Sequence, residues 1–398
     1  MQILILDQHR LLEDSRRSRH ITVCLDEHYK IFRIHINSSI KPRESEISYL
    51  RDIPIYHYGI KRTTINLLNH RINLMLLLVG NKRIWENVLS ELQLNKEEIT
   101  IIHVHDPQLL ILAGYLKHYF NKARIVYDRH ETYEKFSLFR NWSLSCCIEK
   151  LMKMHVDGVV ITVDAYQKAT QCRFPRAIVC SVPNYPILDA KIDALVEDKL
   201  SKPCLPTTIT FVYIGSLYWT RRNKYSIYDI SPILFFAEKL ITKGYDVRFI
   251  IGGKSVSKEM TDEFIRLEKA YPNRFVYTGY VSYDQLIEYT LDSTFGFFLT
   301  NPNTKYWVFR SSNKIFEFLG CGVIPITRED AYPENIRDIS LMFSRYASTI
   351  EILEKIETLL HNPDQILAMR EKLRLQRGQY SFKYISTNYI TLYDTLWK

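Results

Sequence analysis

At 398 residues the chain is too long for a single core of ordinary size and suits two domains. Hydrophobic residues make up 46%, charged residues 24% and aromatic residues 13%, with no low-complexity tract, which excludes a disordered or fibrous chain. The formal net charge of +9 suits an anionic partner, yet it is spread over short groups such as Arg16-Arg17-Ser18-Arg19 and Arg221-Arg222-Asn223-Lys224, with no nucleic-acid motif beside them.

The chain opens on QILIL (2–6), a short apolar run ended by Asp7, which reads as a first strand and not as a signal peptide. Further strand-like runs lie at 30–36, 53–58, 100–105, 124–128, 158–163 and 177–182, with helical-length stretches at 107–120 and 144–155 between them. Strands alternating with helices imply a parallel sheet covered on both faces. The run INLMLLLV (72–79) is too short to span a bilayer. It reads as a buried helix, with an interfacial contact beside Lys82 and Arg83 as the alternative. The seven cysteines are scattered, odd in number and without zinc spacing, which fits a reduced cytoplasmic compartment.

Two phrases fall at strand ends, where sites form in α/β sheets. HVHDPQLLILAGYL carries His103, His105 and Asp106 just before Pro107, a residue favoured at a helix start. RIVYDRHETYEKF carries Asp128, His130 and Glu131. A His-x-His-Asp run can ligate zinc, but no third cluster completes a tetrahedral set. Capping by Asp106 and Asp128 is the plainer alternative.

Between Asn184 and Thr208 the alternation lapses into a proline-punctuated, charged stretch that reads as a linker over 186–207. It then restarts, with strands at 209–215, 246–253, 274–281, 294–300 and 323–327 and helices near 230–243, 257–271, 283–291, 348–361 and 363–378. The expected organisation is an α/β chain with one Rossmann-like domain over 1–185, a second over 208–380, and a tail at 381–398. The tail's apolar stripe of Phe382, Ile385, Tyr389, Leu392 and Leu396 has helical spacing. Two doubly wound units in tandem put the expected site in a cleft between them.

Within the second unit, SSNKIFEFLGCGVIPIT (311–327) reads as a helix capped by Ser312, with Ile315, Phe318 and Leu319 as its buried stripe. Asn313, Lys314 and Glu317 share the other face. A helix start bearing a lysine suits an anion such as diphosphate, and a glutamate one turn on suits ribose hydroxyls. A solvated Lys–Glu pair is the alternative.

Lys314, Glu317 and the following Gly and Val-Ile-Pro-Ile strand together resemble the nucleotide-sugar glycosyltransferases of GT-B architecture, and more narrowly their retaining family four. That resemblance implies two Rossmann-like doubly wound domains facing a central cleft, with the C-terminal helix at 381–398 packing back on the N-terminal domain. It places Glu317 on the donor's ribose, and it expects a further glutamate at position 309, where this chain has Phe309. FVYIGSLYWTRRNKYS resembles the family's first strand and diphosphate loop: Ser216 stands beside Gly215 where an Arg is usual, while Arg221, Arg222 and Lys224 all follow as candidates for the diphosphate. Gly252 and Tyr280 complete the implied donor side. The phrases around His105-Asp106 and His130-Glu131, with Asp14-Ser15-Arg16, are similar to those of bacterial cell-surface polysaccharide transferases. They imply catalytic roles for His130 and Glu131 beside Glu317, and an acceptor side lined by Asp14, Arg16, His105 and Asp106.

The implied activity is sugar transfer from a nucleoside diphosphate to an acceptor hydroxyl in capsule, O-antigen or related synthesis. It implies no cofactor and no essential metal. The acceptor is a glycan or a lipid-linked glycan, which implies loose contact with the inner membrane face. In such chemistry, cations and a helix start aimed at the departing diphosphate lower the barrier. Phe309 and Ser216 favour an alternative, a GT-B-shaped accessory subunit without turnover. The basic charge leaves a nucleic-acid-binding protein as a third reading.

Overall fold

The computed structural model describes residues 1–9, 21–22, 24–37, 45–50, 53–59, 86, 89–95, 97–130, 144–217, 229–254, 257–302, 313–329 and 334–398. They divide into two compact units, Met1–Pro183 with Ile385–Lys398, and Asn184–Tyr384.

The first unit is built on an eight-stranded sheet: β1 (Gln2–His9), β2 (Lys30–Asn37), β3 (Ser45–Leu50), β4 (Ile53–Gly59), β5 (Ile99–His105), β6 (Arg124–Arg129), β7 (Gly158–Ile161) and β8 (Ile178–Ser181). Their order is β3-β4-β2-β1-β5-β6-β7-β8. All neighbours are parallel except β3, which pairs antiparallel with β4 as an edge strand that the sequence pattern did not announce. Strand β5 is buried along its whole length, as a strand covered on both faces must be.

The second sheet has six strands, all parallel: β9 (Ile209–Ile214), β10 (Val247–Gly252), β11 (Phe275–Gly279), β12 (Phe295–Phe298), β13 (Ile324–Arg328) and β14 (Leu341–Phe343). The order is β11-β10-β9-β12-β13-β14. Among the parallel strands of each sheet the order reverses once, between β1 and β5 in the first and between β9 and β12 in the second. A crevice opens at the carboxyl ends at such a switch point, and ligands bind there.

An aromatic stack forms the centre of the second core. Phe211 on β9 lies over Phe249 at 4.8 Å between ring centroids and over Phe295 at 5.2 Å, with interplanar angles of 12° and 19°. The helix Asn313–Gly320 docks on β12 through Phe318, whose ring occupies the space a Cβ on Gly296 would need, 2.6 Å away. The helix ends at Gly322, whose φ of +65° turns the chain while Val323 N donates to Phe318 O.

The stretch 186–207, expected as a linker, belongs to the second unit. Its helix Ala190–Ser201 is capped by Asp189 and buries Val196 and Leu200 against the Gly322 turn. Prolines do not loosen it, because side chains from both ends of the helix are tied into the unit. Arg377 pairs with Asp193 at 2.8 Å, and Arg370 donates to the carbonyls of Lys199 and Cys204. Lys199 Nζ in turn donates to Ser293 O (2.5 Å) and Cys321 O (3.4 Å). At the far end of the chain, the tail forms two helices, Phe382–Ile385 and Thr387–Trp397. The second groups with the first unit, packing Leu392 and Leu396 on Gly158.

Burial pushes the Lys199 ammonium down to about 7 from its ordinary 10.5. Between those pH values the unfolded chain holds a proton that the folded chain lacks, so through this group stability rises with pH across that window. Lys199→Met removes that rise in urea titrations between pH 7 and 10. It also leaves two carbonyls without a donor, at about 1–3 kcal/mol.

Candidate functional site

At the switch point of the second sheet, three strand ends are joined through glycines. Gly215 N donates to Gly252 O at 2.9 Å, and Gly253 N donates to Gly279 O at 2.6 Å. A Cβ on Gly253, whose φ is +137°, would lie 1.9 Å from Gly215 O. Only bare backbone fits there. Tyr277 OH donates to Gly253 O, and Tyr213 OH donates to Ser216 O, which holds both turns in place.

Lys314 is delivered to this point by the helix Asn313–Gly320. Its ammonium lies 5.8 Å from the Tyr213 ring centroid on β9 and 5.9 Å from that of Phe298 on β12, so it stands where the strand order reverses. A Cβ on Gly215 would meet Lys314 Cε at 2.2 Å and Nζ at 2.6 Å. The lysine therefore approaches the β9 turn only because position 215 has no side chain. One turn on, Glu317 is only 5% exposed, more enclosed than the solvent-facing partner the helical spacing suggested. Asn313 and Lys314 are half-buried. Tyr280, placed on the donor side by the sequence, is 79% exposed.

A separate cavity of about 630 Å³ lies at the carboxyl ends of β12 and β13, lined by Asp229, Leu299, Asn301, Arg328, Tyr346 and Ser348 among others. Arg328 Nη1 donates to the carbonyls of Ser344, Arg345 and Ala347, which shapes its wall. None of the predicted donor residues is among its lining residues.

The first unit holds a dense polar cluster at its own switch point. Asp7, Arg33, His35, His103, His105 and Asp128 are all fully buried. Asp7 accepts from Arg33 Nε at 2.6 Å and pairs with His35 on the neighbouring strand. His105 and Asp128 are register partners on β5 and β6. Two tyrosines of the helix Thr387–Trp397 close the cluster: Tyr389 OH donates to Asp128 Oδ2 at 2.6 Å, and Tyr393 OH lies 2.6 Å from His103 Nδ1. His130, at the rim with its side chain 25% exposed, brings Nε2 to 3.0 Å from His105 Nδ1 and 3.6 Å from Asp128 Oδ1. Burial, and then the neighbouring His103, hold His105 well below the usual histidine range, so it is neutral at neutral pH.

The two phrases read separately in the sequence thus meet in space. The structure supplies the third member that a metal set lacked, since His103, His105 and Asp128 bring ligand atoms within 4.8 Å of one another. A tetrahedral zinc shell with bonds of about 2.1 Å brings its ligand atoms to about 3.4 Å of one another. The wider spread and the hydrogen bonds already made account for the group without a metal, and we assign none. Asp106 caps no helix with its side chain. It precedes a short 3-10 turn, Pro107–Leu109, that leads into the helix Leu110–Leu116, and its backbone sits at φ 76°, ψ 136°. A non-glycine residue in that region is strained, which is characteristic of functional sites.

Asp14, Arg16, Glu131, Arg221, Arg222, Lys224 and Ser312, with Phe309, lie outside the described residues. The residues the sequence missed are Gly253, Gly279 and Tyr213 on one side and Asp7, Arg33, His35 and Tyr393 on the other.

Residues 231–388 match the family described as "Glycosyl transferase-like". That match covers most of the second unit, and the chain has the GT-B fold. Across 99% of its length it superposes on an α,α-trehalose 6-phosphate synthase from Burkholderia multivorans, with a TM-score of 0.67, 12% identity and 98% of that chain covered. An E. coli structure bound with UDP-2-fluoro glucose is similar at a TM-score of 0.66 and 10% identity, over 100% of this chain and 99% of that one. A Burkholderia xenovorans UDP-forming synthase in complex with glucose-6-phosphate gives 0.65 and 11%, over 99% of both chains. At such identities the likeness speaks for the fold alone. No curated protein matches the chain.

Replacing Asp106 by glycine relieves about 1–3 kcal/mol of backbone strain, less about 0.5–1 kcal/mol for glycine's freedom in the unfolded chain. The expected outcome is a higher melting temperature for Asp106→Gly, measured beside the parent chain by calorimetry.

Proposed function

We propose that the chain transfers a sugar from a nucleoside diphosphate sugar to an acceptor hydroxyl, with the donor held by the second unit. One observation carries this reading. The Lys314 ammonium stands at the carboxyl-end switch point of a doubly wound sheet, above glycine turns stripped of side chains, with Glu317 one helical turn behind it.

The chemistry follows from the charges. Breaking the anomeric C–O bond leaves negative charge on the departing diphosphate, and a preorganised ammonium stabilises that charge more than it stabilises the intact donor. The backbone around Gly215, Gly252 and Gly253 gives a polyanion close access, and Glu317 is suited to ribose hydroxyls. The resemblance supports catalytic roles for His130 and Glu131 where donor sugar and acceptor meet, and there a hydroxyl gives up its proton as the new C–O bond forms. In a retaining course the departing phosphate oxygen takes that proton; in an inverting course a general base takes it, and His130 and Glu131 are the candidates. The resemblance to cell-surface polysaccharide transferases supports a glycan or lipid-linked glycan acceptor, and with it a cytoplasmic site of action beside the membrane. Among the described residues no helix is long and apolar enough to cross a membrane.

Lys314→Ala is expected to remove a charge-assisted contact of about 1.5–3 kcal/mol, which lowers donor affinity roughly 10- to 150-fold. Protection against heat by a panel of UDP- and GDP-sugars reads this directly, and transfer or donor hydrolysis reads turnover. Unchanged protection and turnover in Lys314→Ala and Glu317→Ala would remove this donor site. Binding without turnover in the parent chain would favour the accessory-subunit reading that Ser216 and Phe309 suggest.

Gly215→Ala is expected to reproduce the loss of donor protection, because its methyl group takes the space of Lys314 Cε. Gly378→Ala, where an added Cβ meets nothing within 4 Å, leaves it intact.

A further inference from the structure

The tail helix reaches the polar cluster of the first unit from the far end of the sequence, and its two tyrosines bond the members that flank His130 on the buried side. We propose that Asp128 is a positioning residue that sets the proton affinity and orientation of His130 toward a substrate hydroxyl, and that Tyr389 of the C-terminal helix is a second positioning residue acting through Asp128. The proposal rests on the transfer reading for the hydroxyl; the linkage among the three side chains is independent of it.

The geometry orders the three groups. His130 Nε2 points inward, meeting His105 Nδ1 at 3.0 Å and Asp128 Oδ1 at 3.6 Å. His105 is fully buried, its ring is 5.2 Å from that of His130 between centroids, and the two stand edge to face, so it fixes the angle of the outer ring. Asp128, also fully buried, gives its other oxygen to Tyr389 OH at 2.6 Å. When, in an inverting course, His130 takes a proton from the attacking hydroxyl, the O–H bond breaks as its oxygen bonds the anomeric carbon, an N–H bond forms on the ring, and the resulting imidazolium faces the Asp128 carboxylate. An opposite charge at that separation favours the charged ring. The Tyr389 hydroxyl spreads part of the carboxylate's charge into its own hydrogen bond, which tempers the effect.

Other charged or titratable groups surround the pair: His103 and His105 on β5, Asp7 on β1, Arg33 and His35 on β2, and Tyr393 beside Tyr389. Asp128 also lies 3.5 Å from His103 Nε2 and 3.9 Å from His105 Nδ1, so the signals of both histidines are followed beside that of His130 in each variant.

The two substitutions make opposite predictions. Asp128→Asn removes the negative charge, so His130 holds its proton less firmly and titrates about one unit lower. Tyr389→Phe keeps the charge and removes the hydrogen bond, so His130 titrates higher, by a smaller amount. Both are read by NMR of the full chain labelled at histidine ring carbons, with His130→Ala assigning the signal. Tyr29→Phe is the control for helix docking. It deletes the 2.9 Å bond to Asp394 on the same helix but keeps the ring that packs edge-on against Tyr393, and it leaves the His130 titration where it was. In the transfer assay the acidic limb of the rate profile moves in the same two directions, with kcat lowered about tenfold by Asp128→Asn. Shifts of the same sign in both variants, or none, overturn the linkage. Opposed shifts without an effect of His130→Ala on transfer keep the linkage and overturn the role toward the hydroxyl. Absence of transfer from any donor, with opposed shifts intact, counts against the transfer reading and not against the linkage.

Discussion

The contact between Phe318 and Gly296 sets the geometry of the second unit. A ring from the helix Asn313–Gly320 lies where any side chain on β12 would intrude, so the helix rests close on the sheet. From that seat everything at the strand ends follows. Lys314, four positions before Phe318, comes to the carboxyl ends of β9 and β12 and presses on Gly215. Glu317 is drawn under cover. The turn at Gly322 then drops the chain into β13 and presents a surface for the helix Ala190–Ser201. One missing methyl group in a strand thus positions a cation on the helix packed against it.

Both units build their polar chemistry where strand order reverses, but by different means. The second uses backbone without side chains, with glycines at 215, 252, 253 and 279 whose amides and carbonyls bond one another across the strand ends. The first uses buried side chains, in which charge is balanced inside the cluster: Arg33 opposes Asp7, and tyrosine hydroxyls serve His103 and Asp128. A buried charge is tolerable only when paired and hydrogen-bonded. The first unit therefore holds its strand ends through paired side chains, whereas the second brings bare backbone and one lysine together there.

Much of this was legible in the sequence because it depended on local spacing. The alternation of strands and helices, the helix carrying Lys314 and Glu317, and the strand-end phrases at His105 and His130 follow from periods of two and 3.6. What escaped depended on partners remote in sequence. Strand β14 has three residues and β3 is an edge hairpin partner, both too short or too polar to stand out. The stretch 186–207 looked like a linker because its burial comes from single residues, Val196 and Leu200, and from arginines supplied near the end of the unit. The tail's apolar stripe included Tyr389 but not Tyr393, whose burial makes sense only once His103 is known to lie beneath it. The union of His103, His105 and Asp128 needed the register of β5 with β6, which no single stretch of sequence contains.

The discontinuity of the first unit bears on how the chain is made. Met1–Pro183 leaves the ribosome long before Ile385–Lys398, because the whole of Asn184–Tyr384 lies between them. At roughly 5–20 residues per second that interval is about 10–40 s. Throughout it, the strand ends of the first sheet wait with Asp128 and His103 lacking their tyrosine partners, while the second unit, continuous in sequence, is free to fold as it emerges. The final helix is then less an appendage than the last stitch of the first domain, and chains stalled or cut short of it carry an unsealed half.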